Sequence, residues 1–167
     1  MSGVSRQPDG AAFDIVLLLH VGCVVAGLAT TITSAATASR LKRLTQRSVP
    51  LPESMGRYFA PGLNWAGRVM YGIPVFGVAL VAMSHGAYSL RDDWVMSGLA
   101  IFVLLVLLAE GVLWPAERRI QAALAQPMAQ GIPPDTAVLP GARVMARAAT
   151  TCVVLLVAGS ALMLAQP

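Results

Sequence analysis

Charge is scarce in this chain. Only 12% of its 167 residues are Asp, Glu, Lys or Arg, against roughly 25% in a soluble domain. Together with a mean hydropathy of +0.68, that scarcity excludes an ordinary water-soluble fold. Cysteine is scarce as well. Cys23 and Cys152 are the only thiols, and no CxxC pair, zinc spacing or c-type haem attachment motif occurs. A disulfide framework and a structural zinc site are excluded, and two thiols inside apolar segments favour free cysteines. Also missing are a phosphate-cradling loop, a zincin helix and a nucleophile elbow. No catalytic constellation can be assembled from residues close in sequence, which favours a non-enzymatic role.

In their place stand four apolar stretches, at about Phe13–Ala36, Trp65–Leu90, Trp94–Trp114 and Ala146–Ala165. Each has the roughly 20 residues that a helix needs to cross a hydrocarbon core about 30 Å thick. The expected fold is therefore all-α, a four-transmembrane-helix bundle forming one domain over residues 1–167. The start, Met1–Ala12, is polar, and no small-residue cleavage site follows a short apolar core. The first stretch reads as a retained helix and not a signal peptide.

A sequence pI of 9.7 raises the question of nucleic acid, and the placement of the charge answers it. Nine of the twelve basic residues lie in two loops or at their edges: Arg40, Lys42, Arg43, Arg47, Arg57, Arg118, Arg119, Arg143 and Arg147. Arg68 belongs to the same side, and only Arg6 and Arg91 fall on the other. The positive-inside rule then puts both long loops in the cytoplasm and both termini outside. Loops this short supply no folded phosphate-binding surface, so anionic lipid headgroups are the expected contact and nucleic acid is not. Eleven arginines against one lysine, with abundant alanine, suggest a GC-rich bacterial genome and an inner-membrane location.

The first helix carries two rows of small residues, Gly22, Ala26, Thr30 and Ser34 beside Cys23, Gly27, Thr31 and Ala35. Rows of this kind let helix backbones approach closely in lipid, where no hydrophobic drive brings helices together. Pro50, Pro52 and Pro61 keep the segment Ser39–Asn64 from being one helix. Gly72 and Pro74 predict a kink in the second helix, and Pro115 a bend at the end of the third. Residues Ala116–Ala125 can continue as a cytoplasmic helical extension, and Gln126–Pro140, with four prolines, reads as a flexible link. Trp65, Trp94 and Trp114 fall where an interfacial aromatic belt is expected.

The two histidines are the candidate site. His20 lies about 10 Å below the outer boundary at 1.5 Å per residue, and His85, on the returning helix, about 7–8 Å below it. Ionisable groups at membrane depth mark functional sites. Facing imidazoles suit a b-type haem, with Gly22, Gly27 and Gly86 leaving room for the macrocycle. His20, Cys23, Met83 and His85, with Met96 and Met163 at similar depth, alternatively form a soft set that suits Cu(I). The plainer reading gives His20 one interhelical hydrogen bond and leaves His85 at interfacial water. Glu110 near the inner end of the third helix is expected to pair with Arg68. Asp14 is expected at the outer interface, near a helix N-terminus.

The order of these features resembles a family of uncharacterised bacterial four-helix membrane proteins. The residues that carry the resemblance are the Leu17–His20 run, the basic first loop, a second hairpin opening at Trp94, and Pro115–Arg119 closing the third helix. Such proteins are distantly similar to copper-resistance D-type proteins and to the haem-binding protoporphyrinogen oxidase of bacteria. The resemblance implies the fold, and a ligand role for His20. The oxidase type carries a lysine in its third helix, and Trp94–Trp114 contains none, so the reaction is not implied. The expected function is a membrane component holding haem b or copper between the first two helices. The alternative is an accessory or structural subunit, without cofactor, of a larger membrane complex or homo-oligomer.

Overall fold

The computed structural model describes residues 10–62 and 65–165, and these are helical with no strand among them. The expected outer placement of Arg6 lies outside the described residues. Four helices are long and apolar enough to cross a membrane: α1 (Ala11–Gln46), α3 (Trp65–Met83), α4 (Asp93–Gln130) and α5 (Leu139–Leu164). A short amphipathic helix, α2 (Glu53–Tyr58), lies between the first two.

The spans run antiparallel to their neighbours. Going down α1 from Gly27 to Cys23 to His20, the contacts on α3 climb from Met70 to Gly72 to Gly77. On α4 and α5, Gly98 meets Met163, Gly141 meets Ile120, and Gly159 meets Ile101. Every span also turns bulky apolar side chains outward, including Leu18, Val75, Leu107 and Val154, each more than half exposed. Outward apolar faces on all four helices, with backbone polar groups satisfied inside each helix, are what a bilayer demands. This is the architecture of a multi-pass membrane protein.

Helix lengths depart from expectation in an informative way. At 36 and 38 residues, α1 and α4 are about 54–57 Å long at 1.5 Å per residue, well beyond a hydrocarbon core of about 30 Å. Both overshoot at the same end, where the basic residues gather. There Ala38, Leu41 and Thr45 of α1 are buried with Met55 and Phe59, with Ala116, Ile120 and Leu124 of α4, and with Ala142 and Met145 of α5. The three- and four-residue steps place these groups on one face of each helix. The best-packed core therefore lies at the basic end, beyond the spans' most lipid-like portions.

Proline accounts for the irregular turns. The Pro74 ring would clash with the carbonyl four residues earlier, at Met70, and Met70 sits in a 3-10 turn, Val69–Tyr71, that divides α3. Pro115 stands in the same relation to Gly111, inside a π-helical turn, Ala109–Leu113. A kink at Pro74 and a bend at Pro115 were expected, and the structure has an irregular turn before each proline. The link after α4 is shorter than expected: Pro127 is accommodated inside α4, which ends on Gly131 at φ 65, a left-handed value that suits glycine. Pro140 sits in the first turn of α5, where a missing N–H costs nothing.

The close-packed row on α1 also differs from the expected ones. Gly27, Thr31, Ser34 and Ala38 are buried, whereas Gly22 has open space where a side chain would be. The row rotates around the helix because 3.6 residues per turn do not repeat every four positions.

Candidate functional site

His20 projects from α1 toward α3 and is half-buried. Its Nδ1 lies 2.9 Å from the Ile73 carbonyl. A carbonyl only accepts, so Nδ1 carries the hydrogen and the neutral ring keeps its lone pair on Nε2. The approach depends on Gly77, where a Cβ would come within 3.3 Å of the imidazole Cε1. Beside the ring is a cavity of about 60 Å³, bordered also by Val24, Gly98, Ser160 and Met163. Ligand pockets usually enclose about 300–1,000 Å³, so the cavity has no room for a porphyrin.

His85 is elsewhere. The second helix was expected to run to Leu90, and it stops at Met83. The buried Ser84 hydroxyl donates to the Val81 carbonyl and accepts from the Tyr88 N–H, diverting the chain out of the helix. His85 then takes a left-handed φ of 50, Gly86 follows at φ 87, and the imidazole is exposed. The helical part of the path from Gly77, up to Met83, alone rises about 9 Å at 1.5 Å per residue. His85 is not among the residues that border the cavity beside His20.

The remaining members of the expected copper set are also spread out. Cys23 packs its sulfur over Gly72, so closely that a Cβ there would clash. Met83, half-buried, is eleven residues further along α3, about 16 Å of rise from Gly72. Among the described residues, no three His, Cys, Asp or Glu side chains gather where they could hold a metal ion. Cys23 and Cys152 are free thiols.

The expected Glu110–Arg68 pair is replaced by two other contacts. Glu110 accepts a hydrogen bond from the Tyr71 hydroxyl, while the Arg68 guanidinium lies 4.9 Å over the Trp114 ring. Trp114 is accordingly buried, at 6% exposure, and does not join an interfacial belt, whereas Trp65 is 71% exposed. Asp14 is exposed in the first turn of α1.

One polar group went unnoticed in the sequence. Glu117, on the extension of α4, is 4% exposed. It hydrogen-bonds to Tyr58 of α2, whose hydroxyl is 2.7 Å from the Ser34 hydroxyl of α1. Ser34 in turn donates to the Thr30 carbonyl at 2.9 Å. Burial pushes the Tyr58 phenol well above its usual range, and Glu117 beside it adds to the effect. The signal was present: Glu117 falls on the stripe Leu113, Ala116, Ile120 and Leu124, all buried, at the spacing of a helix's inner face. Tyr58 also borders an open cavity of about 490 Å³ between α1, α2, α3 and α4, with Thr30, Thr33, Arg57 and Gln121.

Comparison with protein-family models, with curated proteins and with solved structures gives no match for this chain.

Proposed function

We propose that the protein is a non-enzymatic, multi-pass component of a bacterial inner membrane, an accessory or structural subunit of a larger membrane assembly. The observation that carries this reading is the use made of the one deep histidine. His20 gives its Nδ1 hydrogen to the Ile73 carbonyl and so joins α1 to α3, while His85 is exposed in a turn. Asymmetric charge supports an orientation with the basic end in the cytoplasm and both termini outside. The test is purification in mild detergent from haem-replete cells, with an absorption spectrum, metal analysis and identification of co-purifying chains. A stoichiometric membrane partner or a defined homo-oligomer, with no Soret band, is expected. A Soret band would replace this reading with a haem protein.

A second reading keeps copper, on one specific observation. His20 and Met163 border the same small cavity, and a histidine whose Nδ1 is fixed by a carbonyl presents Nε2 to a metal in the usual way. A thioether and an imidazole suit Cu(I). Copper bound at one per chain and lost in Met163→Ala would favour it; copper absent after loading under reducing conditions would end it.

A further inference from the structure

The cavity of about 490 Å³ between α1, α2, α3 and α4 falls within the usual 300–1,000 Å³ of a ligand pocket, and its wall changes character with depth. Thr30 and Thr33 of α1 stand three to six residues short of Ala36, where the apolar run ends, so they lie about 5–9 Å inside that boundary. Arg57 of α2 and Gln121 of the α4 extension border the cavity on the basic side. Among the described residues of the wall, Arg57 is the one cation and none is an acid. Glu53, 3.8 Å from the Arg57 guanidinium, borders a neighbouring cavity instead, and both side chains of that pair are more than three-quarters exposed. Such a pair is weak, and the guanidinium can take another anion. The hydroxyls are set the other way. Thr30 donates to the Ala26 carbonyl at 3.0 Å and Thr33 to the Ala29 carbonyl at 2.8 Å, which leaves their oxygen lone pairs to accept. A ligand that satisfies this wall brings an anion for Arg57 and hydroxyl hydrogens for the threonines.

The polar wall continues onto lipid-facing surface. Leu18, Gly22, Val25, Ala29 and Thr33 follow at three- and four-residue steps along one face of α1. Leu18 and Val25 are 72% and 61% exposed, and Gly22 leaves a notch where a Cβ would meet nothing within 4 Å. Ala29 and Thr33 then border the cavity. On α3, Trp65 is 71% exposed beside Ala66 of the wall, and an exposed indole at the start of a span marks the headgroup level.

We propose that this cavity binds one anionic phospholipid of the cytoplasmic leaflet, with its phosphodiester on Arg57, its headgroup hydroxyls on Thr30 and Thr33, and an acyl chain along the Leu18–Val25 face of α1. A lipid is favoured over a soluble phosphate ester because the polar wall and the apolar face are continuous. A zwitterionic headgroup fits less well, since its ammonium would meet no carboxylate in the wall. The leaflet to which the positive-inside rule assigns the basic end is also the anionic one. The site is independent of whether the bundle docks on a partner.

The test titrates the protein in mild detergent with dioctanoyl phosphatidylglycerol or with the phosphatidylcholine of the same chains, and counts bound lipid by native mass spectrometry. One phosphatidylglycerol per chain is expected, bound about tenfold more tightly than phosphatidylcholine, as one charge-assisted hydrogen bond would give. Arg57→Gln should abolish that preference. Arg43→Gln, which removes an exposed cation of α1 outside the wall, should leave it in place. Ala66→Phe narrows the cavity without changing charge and should lower the affinity for both lipids; should it fail to fold, the two arginine variants still decide. Glycerol phosphate at the same concentration should not displace the lipid. Equal affinity for the two lipids overturns the proposal, and so do equal losses in Arg57→Gln and Arg43→Gln, which would mean diffuse attraction to headgroups. Displacement by glycerol phosphate would make the ligand a soluble ester and end the lipid assignment. Full binding in a folded Ala66→Phe would place the lipid elsewhere.

Discussion

Arg68 stacks on Trp114 and leaves Glu110 to Tyr71. The acid and the base that charge alone would join are each satisfied by an aromatic residue of the α3–α4 seam, where Tyr71 and Trp114 meet edge to face at 6.0 Å. A guanidinium over an indole contributes about 0.5–1 kcal/mol at an exposed site, and Arg is well suited to it because its planar head is weakly hydrated. Tyr71→Phe and Glu110→Gln should therefore each lower stability by about 0.5–1.5 kcal/mol, and the double variant should cost little more than either alone. Reversible unfolding in detergent measures the cycle. Additive losses would mean that the two side chains act separately.

The α1–α3 contact makes a sharper contrast between glycines. A Cβ at Gly72 would lie 2.5 Å from the Cys23 sulfur and 3.2 Å from Phe76, whereas at Gly22 it meets nothing within 4 Å. Gly72→Ala should destabilise by about 1–3 kcal/mol through overpacking. Gly22→Ala should stabilise by up to about 1 kcal/mol, the difference in helix propensity. Thermal unfolding of both variants checks the pair, and Cys23→Ala should recover part of the Gly72→Ala loss.

Where the sequence was legible, the reason is the bilayer. A span needs about 20 apolar residues, so four such runs declare four helices, and Pro74 and Pro115 declare their irregular turns. The helix ends were illegible because other rules decide them. Residues 37–46 continue α1 through amphipathic packing of Ala38, Leu41 and Thr45 against the basic-end core, and hydropathy does not register that contribution. Ser84 ends α3 through its own hydroxyl, which moves His85 out of the helix. His20 was legible as a packed residue, and its partner, a backbone carbonyl, leaves no mark in a sequence. Glu117 could have been read, since it interrupts an apolar stripe with an acid; its contact with Tyr58 could not, because α2 is a separate element brought in by the fold.

Alkaline stability should depend on Tyr58. Burial holds its phenol above the ordinary tyrosine range in the folded protein. A group whose folded value is raised contributes stability that is fully present below its unfolded value and lost as pH rises toward the folded one. The wild-type protein should therefore lose stability progressively above about pH 10, the ordinary tyrosine value. Tyr58→Phe should be weaker at neutral pH by about 1–2 kcal/mol, from its lost hydrogen bonds, yet show a flatter alkaline limb. Denaturant unfolding at a series of pH values distinguishes the two profiles, and parallel limbs would remove Tyr58 from the titration.

The His20 contact predicts a coupling with Gly77. Interhelical hydrogen bonds in membranes contribute about 0.6 kcal/mol on average and rarely reach 2, so the bond to Ile73 is a modest part of the α1–α3 interface. Its geometry is the stricter feature. Gly77 admits the ring edge with its would-be Cβ at 3.3 Å from Cε1 and 3.6 Å from Nδ1. Gly77→Ala should force the imidazole back from the Ile73 carbonyl and cost about 1–2 kcal/mol, overpacking plus the lost bond. In a His20→Ala background the same substitution meets a vacated space, and the propensity gain of alanine over glycine, up to about 1 kcal/mol, should make it neutral or stabilising. A change of sign between the two backgrounds, measured by unfolding in one detergent, would tie His20 to Gly77. Equal costs in both would show that alanine at this position is resisted by something other than the imidazole.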